Sequence, residues 1–278
     1  MATDLLRATR DYFKAQNIPE VDASILFEYL LKCTRSEVQL RLLRMGEEEL
    51  NLLDRELRRL VLRRQNGEPV QYITGSAPFR YLEYQVGPGV LIPRPETESL
   101  VALVLKEIDR RNSAKSKVVD LGAGSGCIAI AIASERVGTV VTAVENSPEA
   151  SEWLAKNVAT LAPQVRVVVG GVSDACRGEK FEIVVANPPY IPSGENLPTE
   201  VRKEPAGALC GGDVAGMAVP RQFIAAAERL LVPGGFLALE HHESQGDAIA
   251  KALADNFVEI NLVKDLNGRP RFTTARKR

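Results

Sequence analysis

Over residues 1–75 apolar positions recur every three or four residues, the spacing of a helix face, and almost nothing alternates as a strand would. Ile25, Leu26, Tyr29 and Leu30 form one stripe, with Asp22 as the expected N-cap, and Asn17 followed by Pro19 marks the end of the preceding helix. Leu50, Leu53, Leu57, Leu60 and Val61 form another stripe, opened by Glu47, Glu48 and Glu49 where the helix macrodipole favours acids. The pattern predicts a small helical bundle. Between residues 76 and 95 the period changes to two. Phe79, Tyr81 and Glu83 face one way, Leu82, Tyr84 and Val86 the other, and Gly87-Pro88-Gly89 turns the chain before Val90-Leu91-Ile92. A β-hairpin linker is expected there.

From residue 96 onward helical and strand patterns alternate. A helix at 96–109 precedes a strand at 117–121, a Gly-rich turn and an apolar helix at 127–134. A strand at 139–145, a helix at 148–157 and strands at 165–169 and 181–186 follow. Then come a helix ending near Leu231, a strand at 236–240, a helix at 245–254 and terminal strands near 258–263 and 271–274. Alternating units of this kind specify an α/β fold with a mostly parallel sheet covered on both faces. The expected organisation is three parts: 1–75, a linker at 76–95, and 96–278.

Composition narrows the class. The 278 residues carry a formal net charge of -1, and basic and acidic residues balance over 1–75, so the footprint of a nucleic-acid binder is missing. The arginines between 55 and 64 are expected to form a solvated face. The longest wholly apolar run, residues 127–133, is far short of the roughly 18 positions a membrane helix requires. No membrane span is expected, and the charged start of the chain does not resemble a secretory signal, so the expected location is cytoplasmic. Cys33, Cys127, Cys176 and Cys210 are scattered without a C-x-x-C pair, and the histidines are the adjacent His241 and His242. Neither a disulfide framework nor a metal site is indicated.

Two motifs carry chemistry. Asp120-Leu121-Gly122-Ala123-Gly124-Ser125-Gly126 follows a strand and opens a helix, where a ligand can approach backbone N–H groups with no side chain in the way. Cys127 stands where the dinucleotide fingerprint needs its third glycine, so the spacing is G-x-G-x-G. This variant resembles the S-adenosylmethionine loop of Rossmann-like methyltransferases. Glu145 ends the next strand, about twenty positions beyond the loop, where an acid can accept both ribose hydroxyls. Its bland alternative, capping of the helix that begins at Pro148, is better filled by Asn146 or Ser147.

The second motif, Asn187-Pro188-Pro189-Tyr190, follows a strand and so falls at a carboxyl end of the sheet. An amino group conjugated to a carbonyl or heteroaromatic ring is a poor nucleophile with two N–H donors. Asn187 Oδ1 and the Pro188 carbonyl can accept both hydrogens while Tyr190 stacks on the planar group. Pro188 and Pro189 stiffen the loop. No strong base is needed, because nitrogen becomes acidic once alkylated. The motif admits adenine N6, cytosine N4 and glutamine amide nitrogens alike. His241, His242, Cys127 and Cys210 are read as structural rather than catalytic.

Further segments give the whole chain a resemblance to the HemK/PrmC family, the peptide-chain release factor glutamine N5-methyltransferases. They are Gly67-Glu68-Pro69-Val70-Gln71-Tyr72-Ile73-Thr74-Gly75, Ile92-Pro93-Arg94-Pro95-Glu96-Thr97-Glu98, Asn196-Leu197-Pro198, Glu204-Pro205, Gly211-Gly212, Leu239-Glu240-His241 and Asp265-Leu266-Asn267-Gly268-Arg269. The resemblance implies a Rossmann-like class I methyltransferase domain with a seven-stranded sheet at 96–278, and a substrate-docking helical domain at 1–75. It implies that S-adenosylmethionine is held by Gly122, Ala123, Gly124, Ser125, Gly126, Glu145, Ser173 and Asn187. Asn187 would bridge cofactor and substrate, and Pro188, Pro189 and Tyr190 would clamp the glutamine amide. Arg94, Glu96 and Thr97 are placed near the cofactor. The implied partner is a class I release factor, methylated on the glutamine of its Gly-Gly-Gln loop, with no stable nucleic-acid binding and no membrane. A ribosomal-protein glutamine remains an alternative, and a DNA or RNA amino group a weaker one. The chain departs from the family pattern at residues 171–174 near the adenine position, at Tyr81, where glycine is usual, and at 217–220.

Overall fold

The computed structural model describes residues 2–112 and 115–278. The chain divides into two compact units, one running to Ser76 and including Pro198–Lys203, the other comprising Ala77–Leu197 and Glu204–Arg278.

The first unit contains α1 (Ala2–Ala15), α2 (Glu20–Leu31), α3 (Val38–Arg44), α4 (Glu47–Gln65) and α5 (Val70–Thr74). In α4 the Gly46 N–H donates to Glu49 Oε2 at 2.9 Å, and Leu53, Leu57 and Leu60 are buried. They pack with Phe13, Leu26, Phe27 and Leu42 in one apolar core. Two details differ from the sequence reading. Pro19 precedes the first turn of α2, so Asp22 lies inside the helix rather than capping it, and Tyr29 is exposed. Arg55, Arg58 and Arg59 face solvent as expected, but Arg64 is buried. Its Nε donates to Asp22 Oδ2 at 2.6 Å, and its Nη2 donates to Glu200. Burial pushes the Asp22 carboxyl up, partly offset by Arg64. The pair explains why a charged residue occupies each buried position: neither charge is left unpaired away from water.

The second unit opens with a two-stranded hairpin, β1 (Ser76–Phe79) and β2 (Leu82–Gln85). Arg80 takes a positive φ of 53° at its tip, and Tyr81 is 83% exposed, so the hairpin tolerates a large side chain in a position that buries nothing. Residues 90–92 continue outside any strand, with Val90 and Ile92 buried. After α6 (Thr97–Arg111) the alternation begins: β3 (Lys117–Leu121), α7 (Cys127–Glu135), β4 (Val140–Glu145), α8 (Pro148–Leu161), β5 (Arg166–Val169) and β6 (Phe181–Ala186). It ends with α9 (Ala218–Leu230), β7 (Leu231–Glu240), α10 (Gly246–Leu253), β8 (Phe257–Lys264) and β9 (Pro270–Lys277).

Among the described residues, seven strands form one sheet in the order β5-β4-β3-β6-β7-β9-β8. The pairs from β5 to β7 are parallel, and β9 runs antiparallel to both β7 and β8. Successive side chains of a strand point to opposite faces, and the core follows that rule. Val118, Ile183 and Val185 pack with Leu100, Ile128 and Leu154 on one side. Val119 and Val184 pack with Phe223, Ile224 and Leu253 on the other. This is the mostly parallel α/β sheet, covered on both faces, that the alternating pattern specified.

Candidate active site

The strand order reverses at β3, whose neighbours are β4 on one side and β6 on the other. A crevice opens at the carboxyl ends of strands at such a switch point. A cavity of about 540 Å³ lies there, within the size range of small-molecule sites. Its wall includes Gly122, Ala123, Gly124, Ser125, Glu145, Ser173, Asn187 and Pro189. Two motifs 60 or more positions apart therefore meet at one cavity, because β3 and β6 are adjacent parallel strands.

The glycine loop is held by backbone. The N–H groups of Gly122 and Ala123 both donate to the Val144 carbonyl at 2.9 Å, tying the loop to β4. Gly124 has φ +56°, and a Cβ there would meet only Val90 Cγ2, at 4.0 Å, so its side-chain position opens into space. Gly126 has φ +84°, and a Cβ would fall 2.6 Å from Leu154 Cδ1, so glycine lets the loop pack on α8 from behind the wall. Asp120 does not line the cavity. It is wholly buried and accepts from Ala129 N–H at 3.1 Å, which ties β3 to the first turn of α7. Burial raises its carboxyl to about 7.

Glu145 is buried, and its carboxylate accepts from three backbone N–H groups, Gly124, Asn146 and Ser147, each at 2.8 Å. The helix cap itself is Ser147, whose Oγ accepts from Ala150 N–H at 3.2 Å. Capping therefore does not account for Glu145, which instead stands at the junction of the loop and β4. Ser173 is exposed at the rim with Gly170, Gly171 and Val172.

Asn187 and Pro189 reach the cavity, whereas Pro188 is buried and Tyr190 is outside the wall. The Tyr190 hydroxyl donates to Glu240 Oε1 at 3.1 Å. Burial, reinforced by the Glu240 charge, raises the tyrosine pKa, so the hydroxyl stays protonated as a donor. The Asn187 Nδ2 donates to Thr97 Oγ1 at 3.3 Å, and Thr97 donates in turn to Glu240 Oε2 at 2.9 Å.

The wall also takes residues from two further parts of the second unit. Arg94 and Thr97, placed near the cofactor by resemblance, line it together with Leu91 and Pro93, Thr97 being the first residue of α6, and Gln222 and Phe223 come from α9. Glu96, placed near the cofactor by resemblance, is not in the wall. Glu204 is buried and joins this part of the wall, accepting from Ile92 N–H at 2.9 Å and from Arg94 Nη2 at 2.5 Å. Of the residues read as structural, Cys127 and His241 are buried, whereas Cys210 is exposed and His242 only partly covered. Burial raises the Cys127 thiol to about 12, and His241 is buried with Nε2 2.9 Å from Thr273 Oγ1.

A glycine loop and a strand-end acid facing an Asn-Pro-Pro-Tyr turn across the switch point of this sheet define a class I methyltransferase. Residues 4–75 match the PrmC N-terminal domain, and residues 97–204 match the Methyltransferase small domain. The chain is 38% identical to the release factor glutamine methyltransferase of Bifidobacterium longum, over 99% of each chain. It is 34% identical to that of Escherichia coli, over 98% of this chain and 97% of the other. The chain belongs to the release factor glutamine methyltransferase family. Among solved structures, the hMettl16 catalytic domain in complex with MAT2A 3'UTR hairpin 6 superposes with a TM-score of 0.55 at 14% identity, covering 70% of this chain and 74% of that one, a likeness of fold.

Proposed function

We propose that the chain transfers a methyl group from S-adenosylmethionine to the side-chain amide nitrogen of a glutamine, the one in the Gly-Gly-Gln loop of a class I peptide-chain release factor. The observation that carries this reading is the single cavity walled by the glycine loop, Glu145, Asn187 and Pro189. The wall fits the cofactor. It offers a carboxylate for ribose hydroxyls, apolar surface from Ile128 and Phe223, and at Gly124 an open position that any larger residue would fill. Bound there, the sulfonium supplies an electrophilic methyl group.

The remaining steps belong to the chain. Gly122, Ala123, Gly124 and Ser125 shape the floor, Gly126 packs on α8 behind them, Glu145 accepts the ribose hydroxyls, and Ser173 borders the base. Asn187 Oδ1 and the Pro188 carbonyl accept the two amide hydrogens, and Pro189 and Tyr190 complete the turn that presents them. Accepting both hydrogens aligns the nitrogen lone pair for in-line attack. Held by the glycine loop and Glu145, the sulfonium would give its methyl group to this nitrogen and leave as a neutral thioether, and the nitrogen, positioned by Asn187 Oδ1 and the Pro188 carbonyl, would then release its extra proton to solvent. Residues 1–75 serve as a docking domain for the protein substrate, 76–95 as a linker and 96–278 as the catalytic domain. The formal charge of -1 favours a protein over a polyanion as partner, and such a substrate places the reaction in the cytoplasm. Among the described residues no helix is long and apolar enough to cross a membrane.

The test offers labelled cofactor with a release factor, a ribosomal protein and nucleic acid at equal concentration. Label in the release factor, at the glutamine of its Gly-Gly-Gln loop by mass spectrometry, is the expected result. Greater incorporation into either competitor overturns the substrate assignment.

A further inference from the structure

The acid at the end of β7 has no place in the chemistry described above, yet it holds Tyr190 at one end of the tetrapeptide directly and reaches Asn187 at the other through Thr97. Ala186 pairs with Leu239 in the parallel β6–β7 ladder, so Asn187 and Glu240 leave the sheet side by side. Glu240 is 1% exposed. A buried carboxylate is costly unless its oxygens are satisfied, and here each oxygen accepts from a hydroxyl, Thr97 on Oε2 and Tyr190 on Oε1.

We propose that Glu240 and Thr97 are positioning residues that fix which way the Asn187 amide faces. This inference rests on the role given to Asn187 above. A hydroxyl has one proton, and a carboxylate only accepts. Once the Thr97 proton is committed to Glu240, Thr97 Oγ1 can only accept from Asn187. The amide must then turn its NH2 end to Thr97 and its carbonyl end away from it. That is the orientation in which Oδ1 accepts a hydrogen from the substrate nitrogen; the flipped amide would oppose donor to donor. Tyr190, anchored to the other carboxylate oxygen, fixes the far end of the turn.

Protonation of Glu240 breaks the one-way pattern, because a carboxylic acid must donate its own proton to Thr97 or Tyr190. Burial raises this carboxyl to about 7, so the change falls near neutral pH. The titratable and charged groups acting on it from surrounding elements are Glu96 at the start of α6, Cys127 on α7, Tyr190 after β6 and Arg271 on β9. Glu240→Gln mimics the broken pattern permanently, since an amide has one donor end.

The experiment measures kcat, cofactor KM and thermal unfolding for Thr97→Val, Thr97→Ser, Glu240→Gln and the double variant Thr97→Val/Glu240→Gln. The acceptor is whichever substrate the wild-type protein methylates, so the identity of the acceptor and the role of Glu240 are tested separately. Thr97→Val and Glu240→Gln should each lower kcat at least tenfold with cofactor KM within about threefold, and Thr97→Ser should restore most of the rate. The double variant should be no slower than the slower single, because both changes act through one amide. Wild-type kcat should fall as pH drops below about 7, and Glu240→Gln should lack that limb. Equal rates for Thr97→Val and Thr97→Ser, additive losses, or an acid limb unchanged in Glu240→Gln would each overturn the proposal.

Discussion

Asp120 near the end of β3 and Glu240 at the end of β7 are both sealed from solvent, and burial raises both carboxyls to about 7. Their partners differ. Asp120 Oδ2 accepts from a backbone N–H, that of Ala129, and among the described residues Oδ1 has no hydrogen-bond partner. Glu240 accepts from two side-chain hydroxyls, that of Tyr190 itself and that of Thr97, which accepts from Asn187. The contrast extends across the cavity. On the β3–β4 side, Glu145 also takes only backbone donors. That half of the site is made of main chain and needs glycine and an acid at set positions. The β6–β7 half is a relay of side chains in which one proton determines the orientation of an amide.

A main-chain half should fail when the backbone path is blocked. Gly124→Val places a β-branched side chain at φ +56° and into the open space beside Val90. Calorimetry should show S-adenosylmethionine affinity reduced about 100-fold. Glu145→Ala should cost about 1–3 kcal/mol of cofactor binding through the lost acceptor, about fivefold to 150-fold. Unchanged affinity in both variants would remove the cofactor from this half.

The smallest effect is on stability and isolates Asp120. Asp120 keeps its proton in the folded chain up to about pH 7 but releases it near 4 when unfolded. Between those values the native state binds more protons, so this residue's contribution makes stability fall as pH rises. Asp120→Asn has no proton to lose, and Asn Oδ1 can still accept from Ala129. Denaturant unfolding across pH 4 to 7 should show a flatter profile for the variant. The same slope in both proteins would mean that Asp120 is ionised when folded.

The same division explains what was legible in the sequence. The loop from Gly122 to Gly126 could be read because each contact is local or follows from strand alternation, and the sheet and helical bundle follow from apolar period. The Thr97–Glu240 bond spans 143 positions and the Tyr190–Glu240 bond 50, and no local pattern announces a pairing at that range. Glu240 ends an apolar strand as Glu145 does, but no glycine loop precedes it, and the strand-end position alone names no partner. Arg64 shows the same limit: within an arginine-rich surface helix, only the packed structure brings it to Asp22. Tyr190 was expected to stack on the substrate, and its anchorage to Glu240 could not be seen from the tetrapeptide.

On the proposed function the two halves divide the labour, one holding the cofactor and the other presenting the acceptor amide to it. Asn187→Ala tests it most directly, with cofactor affinity measured by calorimetry and methyl transfer by single turnover on the same preparation. Transfer should slow at least about 100-fold, as for loss of a transition-state hydrogen-bond partner, with cofactor affinity within about threefold of wild type. A variant that transfers methyl at the wild-type rate, or one that loses cofactor binding in proportion to activity, would contradict it.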